Sequence, residues 1–231
     1  DANLTEWLSI YDLEKNKIKL HEAVGEEATE LYNKAIELGL GEKVNPKDIW
    51  IKMIASQVST GTPYTIFIDN INKYNMMQHF GAIKSLNLCV ETALFASKNE
   101  TGQCALGSIP LPYCKDIKKA SEILSYNINK VIDRNIYPTQ KAVLGGFNQR
   151  TIGIGVAGLA EYLYNKGLHF EHPDAPAELR KITKLMYEGA IKGSQRYHEK
   201  YGKQFLDYEN SDYATWNLHP CKFGIDVKDL D

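Results

Sequence analysis

The sequence predicts a helix-rich α/β protein, and three observations lead there. Long stretches place apolar residues at helical spacing, most clearly over residues 116–134. Between them lie short extended stretches bounded by Gly or Pro. Hydrophobic residues make up 43% of the 231 residues, enough for a sizeable core that layers helices on strands. The length fits one large domain or two small ones, and no linker, repeat or low-complexity segment divides it.

The elements follow in order. GEEATELYNKAIEL (25–38) sets Ala28, Leu31, Ala35 and Leu38 at helical spacing, with acids in the first turn where the helix dipole favours them. A second helix starts near Asp48, groups Ile51, Ile54 and Val58 on one face, and stops at Gly61 and Pro63. YTIFID (64–69) alternates and reads as a short strand. The Asn-rich 70–81 reads as loop or short helix, 83–95 as mixed and strand-like, and 96–103 as a turn. CALGSIPLPYC (104–114) is extended, since Pro110 and Pro112 rule out a long helix. Over 116–134, Ile117, Ala120, Leu124, Ile128, Val131 and Ile132 share a helix face, and Tyr137-Pro138 ends it. Residues 152–166 and 177–201 read as further helices ending near Gly167 and Gly202.

Composition excludes several functions. The net charge of −2 carries no footprint for nucleic acid or anionic membrane. No run of about 18 apolar residues can span a bilayer. DANLTEWLSIYDLEKNKIK (1–19) lacks the apolar core of a signal peptide, so a cytoplasmic chain is expected (host cytoplasm if viral). The four cysteines, Cys89, Cys104, Cys114 and Cys221, have no CxxC spacing and are expected as reduced thiols. No metal site is expected, because no His accompanies a Cys at ligand spacing and His169 and His172 lack further ligands.

TIGIGVAGLA holds a literal GxGxxG at Gly153, Gly155 and Gly158. A dinucleotide fingerprint needs a strand before it, and the polar LGGFNQR is a poor one. The glycines read better as a device for close helix packing. Ser56 and Ser59 lack a base, and Glu26-Glu27 is a helix-start preference.

SLNLCVETA (85–93) is different. If it is extended, Asn87, Cys89 and Glu91 share one face, and Leu88 and Val90 form an apolar face that could anchor the strand. A strand built only for structure would bury its Cys with Leu and Val. A carboxylate beside a thiol opposes the thiolate, so nucleophilic attack is disfavoured and donation of a proton or hydrogen atom is allowed. Glu91 could act as base on a bound hydroxyl that Asn87 holds.

SLNLCVETA, followed by Cys104 in CALGSIPL, resembles the active-site region of the large catalytic subunit of class I ribonucleotide reductase. QVSTGTPYTIFIDNINKYN (57–75), NINKVIDRNIYPTQKA (127–142), RTIGIGVAGLAEYLYNKG (150–167) and HEKYGKQFLDYENSDYA (198–214) resemble further segments in the family's order. The resemblance implies a ten-stranded α/β barrel with the active cysteine on a central loop. It implies that Cys89 becomes a transient thiyl radical, taking a hydrogen atom from the ribose 3′ carbon. Glu91 would take the 3′-hydroxyl proton and Asn87 would hold the ribose hydroxyls, with Asn87, Leu88 and Glu91 contacting substrate. Cys104 would be half of a dithiol that ends as a disulfide, while Cys114 and Cys221 match no functional position.

The implied activity is ribonucleoside-diphosphate reduction to deoxyribonucleotides for DNA synthesis. The implied partners are a small subunit with a metal-radical cofactor, thioredoxin or glutaredoxin as reductant, and ATP or dNTP effectors on the large subunit. No cofactor is expected on this segment itself. The resemblance places residues 1–231 in the barrel as one segment, with the effector-binding part before it and the radical-transfer part after it absent. No cysteine precedes Cys89 to pair with Cys104, so the expectation is a fragment or split chain that needs the remaining pieces of the large subunit. Tyr137 and Tyr213 are not stand-ins for the family's paired radical tyrosines. Leu86 and Ala105 replace polar residues of the family pattern. The alternatives are a catalytically incomplete assembly module, and a dinucleotide-dependent oxidoreductase built on Gly153–Gly158.

Overall fold

In a computed structural model that describes residues 4–215 with Lys222 and Gly224, alternation at the N-terminus makes the first strand. Thr5–Leu8 (β1) half-buries Glu6 and Leu8 and exposes Thr5 and Trp7. It pairs antiparallel with Gly41–Val44 (β2), Thr5 opposite Val44. Between them run Ile10–Lys15 (α1) and Gly25–Glu37 (α2). Leu13, Ile18 and Ala35 form the buried cluster, packed by Leu8, Leu20, Leu31 and Leu40. Pro46–Thr60 (α3) starts at Asn45, whose side chain accepts from the Lys47 amide, and ends at Gly61 with φ 77°. Ile51, Ile54 and Val58 of α3 are exposed. Ile68–Asn72 (α4) completes the helices of this unit, which comprises residues 1–75 and 82–93.

The second unit comprises residues 76–81 and 94–231. Ala105–Pro110 (β3) pairs in parallel with Ile152–Ala157 (β4), Ala105 opposite Ile152. Ile117–Arg134 (α5) and Gln140–Gln149 (α6) lie between them, capped by the side chains of Asp116 and Thr139. Leu159–Asn165 (α7) and Ala175–Tyr201 (α8) follow. The buried cluster is Ile109, Leu111, Ile117 and Ile182, with Leu124, Ile154, Val156 and Leu185 packed on it. α8 lies close on α5: Ser121 Oγ donates to the Met186 carbonyl at 2.5 Å and Ser125 Oγ to that of Ala190 at 2.7 Å. Glu122, buried on α5, is bonded by Lys119 at 3.1 Å and by Arg196. Burial would raise its pKa, and the two cations together hold it below the usual carboxylate range.

Two expected elements differ. Residues 64–66 form no strand, and Ile68 already opens α4. Tyr64 and Phe67 are exposed there, so alternation found no sheet face to bury. Residues 152–157 are strand and not helix, with helix only from Leu159. Ile152, Ile154 and Val156 repeat every two residues, and the intervening glycines let β3 side chains lie across β4. α6 was not expected, although Thr139 is a good N-cap ahead of it. Cys221 lies outside the described residues.

Candidate functional site

The segment 82–93 crosses the first unit without regular secondary structure. At its entrance, buried Ile83 is paired with the Asn72 side chain: its N–H donates to Oδ1 and its carbonyl accepts from Nδ2, both at 2.8 Å. Four residues on, the chain folds into a turn. The Val90 amide donates to the Asn87 carbonyl at 3.1 Å. The Thr92 amide donates to Asn87 Oδ1 at 2.9 Å. Asn87 thus closes the turn with both its backbone and its side chain, a role for which Asn is well suited.

Leu88 and Cys89 are the tip of this turn. Val90 has φ 68°, the left-handed region that a β-branched residue rarely occupies. Such strain, of order 1–3 kcal/mol, persists only where the surroundings enforce it, and it clusters at functional sites.

The extended geometry expected from the spacing is therefore not what forms. Asn87, Cys89 and Glu91 lie in and beside a turn, and all three are exposed. Leu88 does not anchor an apolar face, because 93% of it is exposed. The Asn87 side chain offers the backbone a closure that competes with a strand ladder. Cys89 is a free, exposed thiol.

Cys104 is in the second unit, directly before β3 and half-buried. It borders a cavity of about 50 Å³ lined also by Gln103, Tyr137 and Thr151. A β-carbon at Gly153 would lie 3.1 Å from its Sγ, so the glycine leaves the thiol its room. The connector ahead of it is clamped by α6. Buried Gln149 donates to the Phe95 carbonyl at 3.0 Å and to Glu100 Oε1 at 2.8 Å, and Asn148 reaches Glu100 Oε2 at 3.3 Å.

Gly153 and Gly155 sit inside β4, whose backbone is paired to β3, and only Gly158, at φ 72°, turns into α7. A phosphate cradle needs free amides in a loop; these glycines serve strand packing instead. A larger cavity of about 650 Å³ opens beside β4 and α8, lined by Asn129, Arg150, Ile154, His198, Lys203 and Tyr208 among others. At its wall Arg150 donates to Asp133 at 2.6 Å and to Asn129 Oδ1 at 3.1 Å, and Tyr197 donates to Asp133 at 2.6 Å. Among the described residues no group of three His, Cys, Asp or Glu could hold a metal ion, and no helix is long and apolar enough to cross a membrane.

The reading of motifs did not find Asn72, Glu100, Gln149 or the Arg150–Asp133 pair. Their partners are backbone groups or side chains distant in sequence, and DNIN and FNQR carry no spacing that announces them. The one available signal is the density of Asn and Gln beside an otherwise apolar stretch, which suits buried amide bonding.

Comparison with known proteins is consistent with this layout. The family model "Ribonucleotide reductase, barrel domain" matches residues 5–229. The chain is 37% identical over 211 residues to the ribonucleoside-diphosphate reductase large chain of Encephalitozoon cuniculi, covering 87% of this chain and 27% of that one. It is 34% identical over 214 residues to the large subunit of Trypanosoma brucei brucei, covering 89% and 24%. The solved alpha subunit of the class Id ribonucleotide reductase of Actinobacillus ureae matches with a TM-score of 0.63 at 27% identity, over 68% of this chain and 32% of that one. The chain thus spans about a quarter of the length of the curated relatives it matches. With its helix-rich α/β elements and the match from residue 5 to residue 229, the chain belongs to the ribonucleotide reductase barrel-domain family.

Proposed function

We propose that this chain carries the catalytic thiol of a ribonucleoside-diphosphate reductase large subunit. The observation that carries the reading is the strained turn, closed by Asn87, that presents the exposed Cys89 thiol two residues before the exposed Glu91 in a chain of this family.

In this reading Cys89, oxidised by one electron, is a thiyl radical. It takes the hydrogen atom from the ribose 3′ carbon, so the S–H bond re-forms and the radical passes to the sugar. Glu91 accepts the 3′-hydroxyl proton. Asn87 commits Oδ1 to the Thr92 amide, which leaves its Nδ2 protons to donate to ribose hydroxyls. Leu88, at the turn tip, lies against the substrate. The 2′ C–O bond breaks and its oxygen leaves as water. A dithiol, of which Cys104 is one half, supplies the two electrons and the two hydrogens that complete the water and the new 2′ C–H bond, and becomes a disulfide. Glu91 then returns its proton and Cys89 its hydrogen atom to the 3′ position, and Cys89 is again a thiyl radical.

The oxidising equivalent comes from a small radical-generating subunit, and thioredoxin or glutaredoxin reduces the disulfide. ATP and deoxynucleotides act as effectors of the large subunit. Residues 1–231 form one segment of its barrel, in the cytoplasm.

The test is Cys89→Ser in a reductase assembled from this chain, the remaining parts of a large subunit and a small subunit. Deoxyribonucleotide formation should fall about three orders of magnitude or more, as for an essential reacting group. Because Cys89 is exposed, stability should change by no more than about 0.5 kcal/mol. Full activity of the variant would remove the reading.

A further inference from the structure

The turn that presents Cys89 has no partner strand among the described residues. Among the described residues, two hydrogen bonds of the segment 82–93 close the turn on Asn87, and two run from Ile83 to Asn72. The orientation of the thiol is therefore set at two points: within the turn, and at the Asn72 amide.

Asn72 is built to be such a point. It is the last residue of α4, and its Nδ2 also donates to the Ile68 carbonyl at 3.0 Å, which fixes the side chain along its own helix. The other end of α4 is tied to α2, because Asp69 Oδ1 accepts from the Gly25 amide at 2.8 Å. α2 is rooted in the unit's core through Leu31 and Ala35. A line of contacts thus runs from the core through α2, α4 and Asn72 to Ile83, six residues before the thiol.

The chemistry at Asn72 is exacting. Ile83 presents one N–H and one carbonyl, 3% of the residue is exposed, and both groups are met by one primary amide. A carboxylate of the same shape keeps the acceptor but turns an oxygen toward the Ile83 carbonyl. Alanine leaves both backbone groups unpaired.

We propose that Asn72 is a positioning residue for Cys89: its amide stands in for a neighbouring strand and holds the loop so that the thiol meets the ribose 3′ hydrogen. The proposal rests on the function given above. A displacement of about 1 Å at the reacting atom costs on the order of a hundredfold in rate. Asn72→Asp should therefore slow the hydrogen transfer by about 10- to 100-fold while the protein stays folded.

The test uses the assembled reductase with ribonucleotide carrying protium or deuterium at the 3′ carbon. In Asn72→Asp, kcat should fall and the 3′ isotope effect on kcat should rise above that of the unsubstituted enzyme. A lower content of folded enzyme reduces the rate but leaves the isotope effect where it was. Asn72→Ser, which shortens the arm, serves as a second variant should Asn72→Asp not fold, with the same expectation. An unchanged kcat, or a lower kcat with an unchanged isotope effect, overturns the proposal. Cys89→Ser, run in parallel, separates the two ideas. If it is inactive while Asn72→Asp behaves like the parent, only the positioning role fails; if it is active, the underlying function fails with it.

Discussion

Asp133 shows how much one half-buried side chain can organise. Its two oxygens accept from Arg150 and Tyr197, both at 2.6 Å. Burial alone would raise its pKa, but the hydrogen bonds and the charge of Arg150 hold it below the usual carboxylate range. The same contact, after burial itself, pushes Tyr197 up to about 12. Arg150 is 5% exposed, so Asp133→Asn would strand a buried cation. A loss of about 3 kcal/mol at pH 7 is expected from denaturant unfolding, as for other broken buried pairs. The sign with pH follows from the lowered pKa. The charged Asp133 contributes its full stability above the unfolded carboxylate value of about 3.9, and loses it as pH falls through the lower folded value. The gap between parent and variant should therefore hold from neutral pH to about 4 and narrow only below that. Asn87, Cys89 and Glu91 were legible as a group because their spacing is local. Asp133, Arg150 and Asn72 were not, since each is defined by a partner that only folding brings near.

At the scale of elements, the packing of α8 on α5 turns on two glycines. A β-carbon at Gly189 would strike the Lys118 carbonyl, and one at Gly193 the Glu122 carbonyl. These are backbone atoms of a packed helix and cannot swing aside. Alanine is the better helix former by about 1 kcal/mol. Overpacking against backbone costs about 1–3 kcal/mol, so the clash should win. Gly189→Ala and Gly193→Ala should each lower the melting temperature, by about 2–4 °C per kcal/mol lost for a chain of this length. A rise in melting temperature would show that the helices can part without penalty. The helices themselves were readable: α2, α5 and α8 follow from apolar periodicity, with the Asp116 cap ahead of α5 and Gly202 ending α8. β4 was mistaken for helix because GIGVAGLAEYLY runs into α7 without a break, and glycine hides the period of two. The candidate turn was misread for a related reason. Alternating types suggest a strand, but the Asn87 amide finds the Thr92 N–H first.

For the whole molecule, the chain matches about a quarter of its curated relatives and places Cys89 in one unit and Cys104 in the other. In the proposed function Cys104 needs a second thiol, and none precedes Cys89 in the 231 residues. The 231-residue chain assayed by itself with a ribonucleoside diphosphate is therefore expected to form no deoxyribonucleotide. Added to the remaining parts of a large subunit and a small subunit, it should do so. Turnover by the chain alone would show that its own cysteines complete the dithiol. This level was legible only through resemblance, because no composition or periodicity encodes a partner.

The parallel pairing of β3 with β4 also implies an order in time. Residues 111–151 lie between the two strands and contain α5 and α6. The turns of those helices can start from neighbours in sequence, whereas the sheet must first close that long loop and bear its entropy before any ladder bond forms. The strand that follows Cys104 can therefore gain its ladder only after that loop has closed, and the thiol meets its β4 neighbour Gly153 no earlier.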